Sequence, residues 1–187
     1  GSGFLSRVPF SSFRAYLIKV SNGMALGLFS SLIIGLIFRQ CGIMMSIPEL
    51  EFLGRNAQLL MGPAIGAGVA FAVGAPPLGV FSSLIAGAVG AGTFSGAAAT
   101  VGEPVGALAA AWAGAETSRL IAGKTGVDIV AVPAATIAVG GMVGVVAGPA
   151  VAGVMYWLGG IINGATTLHP IPMGVILSVV MGMILTL

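Results

Sequence analysis

Long apolar runs alternate with short polar breaks along this chain, and the runs exceed ordinary strand length. The run NGMALGLFSSLIIGLIF (22–38) closes on Arg39. A helix over roughly 20–38 would be about 28 Å long, enough to cross a bilayer. Before it, FLSRVPFSSFRAYLIKV (4–20) mixes Phe and Leu with Arg7, Arg14 and Lys19, which predicts an amphipathic helix at the membrane surface. Residues 40–58 carry Pro48, Glu49, Glu51, Arg55 and Asn56 and predict a polar connection. Apolar character resumes over 59–74, and Gly74-Ala75-Pro76-Pro77 predicts a turn. Further helices are expected over 78–102, over 104–123 with Pro104 at its first position, and over 127–148 with Pro133 as a kink. A shorter piece, 151–164, and a last one, 171–187, follow. The pattern predicts an all-α, polytopic helical bundle in the membrane, with about six spanning helices and short interfacial or re-entrant segments.

Composition strengthens this picture. The 187 residues are 57% hydrophobic and only 6% charged, with a mean hydropathy of +1.11. Soluble domains carry about a quarter charged residues, so this chain cannot clothe a water-facing surface. The net charge of +2 is scattered, which argues against nucleic-acid binding. One cysteine, Cys41, and one histidine, His169, give no set of metal ligands, and no cofactor is expected. Arg7, Arg14 and Lys19 precede the first span, and Arg119 and Lys124 follow four crossings later. Both basic groups then fall on one side, which places the N-terminus in the cytoplasm.

Gly1-Ser2-Gly3 reads as an expression scar, 4–20 as the amphipathic helix, and 21–187 as a single transmembrane domain. The chain stops at Leu187 inside the apolar run GVILSVVMGMILTL (174–187), so it is expected to be the first part of a longer domain. Small residues recur at four-residue spacing: Gly23 and Gly27, Gly92 and Gly96, Gly102 and Gly106, then Gly140, Gly144 and Gly148. Such spacing lets helix backbones approach closely and predicts a compact bundle that assembles as a homodimer.

The polar exceptions carry the candidate chemistry. Glu103 stands between Gly102 and Pro104, after a stretch rich in Gly, Ser and Thr. Pro104 restrains Glu103 toward extended geometry, so a break between two helical pieces is expected there. Non-helical backbone at membrane depth is tolerated only inside protein or beside a water-filled cavity, and transporters place such breaks at substrate sites. Glu103 would then accept hydrogen bonds from a polar solute; the alternative is a surface carboxylate capping a helix N-terminus. Glu116 has Arg119 three residues on, the spacing of a local ion pair, with a buried carboxylate on a polar pathway as the other reading. Lys124 and Asp128 bracket a turn, with Asp128 near a helix start. His169 and Pro170 lie in TTLHPIPMG (166–174), where two prolines forbid regular helix. His169 there could bind solute or carry a proton, or simply sit in an external loop. No hydrolase, P-loop or dinucleotide fingerprint occurs.

Four segments carry a family resemblance: NGMALGLFSSLIIGLIF (22–38), VGEPVGALAAAWAGAE (101–116), AGKTGVDIVAVP (122–133) and LHPIPMGVILSVVMGMILTL (168–187). They resemble the enzyme IIC-like membrane proteins of the phosphotransferase system, and more closely the toxin-regulator branch of the perfringolysin regulator type. The resemblance implies a sugar-permease-like fold in the cytoplasmic membrane. It implies a sugar-binding glutamate and histidine, which places those roles on Glu103 and His169; Glu116 is a further candidate only from its reading as a buried carboxylate on a polar pathway. It also implies phosphate supplied by a separate IIB protein, since this chain carries no phosphorylatable Cys motif of its own. Two functions are expected: a permease subunit for a small polar, sugar-like solute, or a non-transporting sensor that keeps the permease fold and binds a solute or a lipid.

Overall fold

The computed structural model describes residues 10–168, and these form helices joined by turns and one longer break, with no strand among them. Helix α1 (Phe10–Leu28) passes through a π-helical turn (Phe29–Ile33) into α2 (Ile34–Met44). Helices α3 (Pro48–Leu59) and α4 (Met61–Ala72) follow, then α5 (Pro77–Ala91), α6 (Pro104–Ile121) and α7 (Asp128–Leu168). Prolines open α3, α5 and α6, where a missing N–H costs nothing. Glu49 and Glu51 in the first turn of α3 complement its dipole.

Several expected boundaries move. The amphipathic segment does not end at residue 20; the helical backbone continues to Met44. The polar connection is itself a helical hairpin, turned at Ser46 with φ 56°. The helix expected over 78–102 stops at Ala91, because Gly92 adopts the left-handed conformation with φ 75°. Pro149 lies inside α7 rather than between two pieces. Stretches long and apolar enough to cross a membrane are Ser12–Met44 and Asp128–Gly164; α4 and α5 are shorter apolar helices.

Contacts divide the chain into two units, Gly1–Pro149 and Ala150–Leu187. In the first, glycines set the packing. Gly23 lies against the backbone of Gly68, Gly27 against Ala64, Gly35 against Gly54 and Gly42 against Glu51. The numbers rise on one side as they fall on the other, so α1–α2 and α3–α4 are antiparallel along their whole length. The π-helical turn falls between Gly27 and Gly35, and the irregular Leu60 between Gly54 and Ala64, which puts the two irregularities at one level. Gly62 and Gly66 of α4 meet Gly87 and Ser83 of α5; Gly79 and Gly90 of α5 meet Ser118 and Gly106 of α6. Gly140 and Gly114 bring α7 against α6, and Gly144 brings it against Gly90 of α5.

The core is correspondingly lean: Val20, Met61, Ile65, Val69, Ala107, Ala111 and Ala115 are buried together. Large side chains point outward instead, with Phe71, Phe81, Phe29 and Val146 all exposed. So many exposed large apolar side chains are unfavourable in water and suited to a lipid environment. The helical part of the second unit exposes Val154, Met155, Tyr156, Trp157 and Ile161.

Candidate functional site

The twelve residues between α5 and α6 form the break anticipated around Glu103 (92–103). Thr93 N–H returns to Ala88 O, and Thr100 N–H donates to Thr93 O at 2.9 Å. Glu103 N–H donates to Ala91 O at 2.9 Å, tying the start of α6 to the end of α5. Gly102 has φ 83°, and a Cβ there would strike the backbone of Ala91. Below it, Gly90 and Gly106 touch backbone to backbone. Only glycine fits positions 102, 90 and 106, so the expected backbone role of Gly102 and Pro104 corresponds to a tight clamp between two helix ends.

Glu103 is the N-cap of α6: Gly106 N–H donates to its Oε2 at 2.7 Å. The carboxylate is half-buried, and among the described residues its Oε1 accepts no hydrogen bond. It therefore both caps a helix and offers an open acceptor beside an exposed arc, 94–100. Two hydroxyls, Ser83 Oγ and Thr93 Oγ1, are buried without a partner among the described residues. Ser83 lies where α5 crosses Gly66, and Thr93 lies at the root of the break.

Glu116 lies elsewhere. It is thirteen residues further along α6, about 20 Å of helix rise from Glu103. The anticipated ion pair with Arg119 is present at 3.1 Å. Glu116 Oε1 also accepts from Tyr16 Oη, and Tyr16 Oη accepts from Trp112 Nε1 at 2.7 Å. The Tyr16 and Trp112 rings meet at 5.9 Å between centroids. Tyr16 and Trp112 carried no signal in sequence, being almost a hundred residues apart. At the neighbouring turn, Asp128 accepts from Gly123 N–H at 2.7 Å and from the Thr125 hydroxyl. His169 and Pro170 lie outside the described residues. Among the described residues no three His, Cys, Asp or Glu side chains gather as metal ligands.

A long antiparallel bundle with a lean glycine core and an interrupted helix pair narrows the class, and the family comparison decides it. The sequence profile described as "Phosphotransferase system, EIIC" matches residues 18–187. The chain belongs to the phosphotransferase system EIIC family. No curated protein and no solved structure matches it. As an EIIC family protein it is a membrane component of the phosphotransferase system, and its described helices expose many large apolar side chains.

Proposed function

We propose that this EIIC protein is a permease subunit moving a small, polar, sugar-like solute across the cytoplasmic membrane, with the 92–103 break as the solute site. One observation carries the reading: the level at which α5 ends. Gly62, next to the Leu60 junction, packs on Ala91, so within the first unit the break begins at the level of the π-helical turn, with α4 between them. The neighbouring hairpin of α2 and α3 continues eleven residues past that level, about 16 Å. Lys19 and Arg39 bracket about 30 Å of helix, the thickness of a hydrocarbon core. Ser31, in the turn, lies about 18 Å from Lys19 along the axis, inside that thickness. Non-helical backbone at such depth belongs beside a polar cavity or a bound solute.

Glu103 accepts solute hydroxyls through Oε1 while Oε2 holds the helix start. His169 is the second candidate, and Glu116 serves the contact with α1. Phosphate comes from a separate IIB protein, and the subunit works as a homodimer with its N-terminus in the cytoplasm. The test is Glu103→Gln in the reconstituted protein. The amide oxygen retains the cap, so the melting temperature holds within about 0.5 kcal/mol of stability. Solute binding falls about tenfold to a hundredfold with the lost charge. Unchanged binding removes Glu103 from the site. Binding without accumulation in proteoliposomes moves the protein to the sensor class.

A further inference from the structure

We infer that Thr93 is a second solute-binding group of the break, donating its hydroxyl to a polyhydroxylated ligand held by Glu103. This rests on the reading of 92–103 as the solute site. Thr93 is 1% exposed, yet its Oγ1 has no hydrogen-bond partner among the described residues. A buried hydroxyl left unpaired is costly, and native proteins rarely keep one without use. A threonine in a helix commonly returns its hydroxyl to the carbonyl four residues back, as Thr117 and Thr136 do here to Ala113 and Val132. Thr93 does not, because the chain has already left the helix at Gly92.

Its backbone is fixed on both sides: the N–H is held by Ala88 O at 3.2 Å and the carbonyl by Thr100 N–H at 2.9 Å. The residue two before it, Ala91, holds the backbone of Glu103. An unused hydroxyl donor and an unused carboxylate acceptor thus come from one clamped knot of backbone. A donor and an acceptor together suit adjacent sugar hydroxyls, each of which both gives and accepts. The arc 94–100, closed by the Thr93–Thr100 bond, is exposed throughout, whereas Thr93 is closed off from solvent.

The experiment measures melting temperature with and without D-glucose, D-mannose and N-acetyl-D-glucosamine at millimolar concentration. Wild type, Thr93→Val, Thr93→Ser and Glu103→Gln are compared in detergent. Ligand that binds the folded state raises the melting temperature by mass action. The expected result is a sugar-induced rise that Thr93→Val weakens about tenfold in concentration and Thr93→Ser retains. Ligand-free Thr93→Val should melt no lower than wild type, since it deletes an unpaired polar group and keeps the shape. A lower ligand-free melting temperature shows that the hydroxyl is already paired and overturns the inference. An undiminished rise in Thr93→Val overturns it too, while loss in Glu103→Gln alone keeps the site reading. Silence of the wild type toward all three sugars overturns both.

Discussion

Glu116 illustrates how one side chain acquires its role from distance along the chain and from distance in space. The spacing to Arg119 announced the ion pair, because residues three apart share a helix face. The hydroxyl of Tyr16 and the indole of Trp112 complete the cluster, and no local rule connects residues 16 and 116. Tyr16→Phe leaves the aromatic contact and removes the hydroxyl, which orphans the Trp112 N–H and takes one donor from the Glu116 carboxylate. Thermal unfolding in detergent should show a loss of about 1–3 kcal/mol. A variant as stable as wild type would mean that water replaces the hydroxyl without cost. Glu103 was legible as a break residue, since Gly before and Pro after constrain it. That it caps α6 and keeps one oxygen open required the fold.

Among the elements, the glycine pattern had two meanings that spacing alone could not separate. Gly23, Gly27, Gly140 and Gly144 lie at helix crossings, as the four-residue repeat suggested. Gly92 and Gly102 are turn glycines with positive φ, and Gly96 is in the exposed arc, so those pairs share no helix face. The difference has a measurable form. Gly90→Ala drives a Cβ into the backbone of Gly106 and should cost about 1–3 kcal/mol. Gly141→Ala meets nothing within 4 Å and should be neutral or stabilising by up to about 1 kcal/mol, since alanine is the better helix former. Equal melting shifts for the two would contradict the crossing. The π-helical turn has a local cause: Ser30 and Ser31 return their hydroxyls to Leu26 O and Gly27 O at 2.7 and 2.6 Å. Such back-bonding competes with the ladder, and the Leu60 junction opposite accommodates the change in pitch.

At the scale of the molecule, the antiparallel order gathers the start of α1, the α4–α5 turn and the α6–α7 turn at one end of the first unit. The contact of Tyr16 with Glu116 fixes that arrangement directly. Arg14, Lys19, Arg119 and Lys124 therefore share an end, and the proposed orientation makes it cytoplasmic. On a Cys41→Ser background, Lys124→Cys should resist a membrane-impermeant maleimide in intact cells and react once they are opened. Labelling in intact cells would reverse the orientation. Composition by itself determined the membrane class, because so few charges cannot solvate a surface. Hydropathy and proline positions placed the starts of α5, α6 and α7 to within a residue, since a proline in the first turn forfeits no intrahelical bond. The pairing of α1–α2 with α3–α4 and the level of the 92–103 break were decided by tertiary structure. Each depends on which backbone lies opposite a glycine, as Gly27 against Ala64 and Gly62 against Ala91, and close approach between different helices leaves no periodic trace in either one.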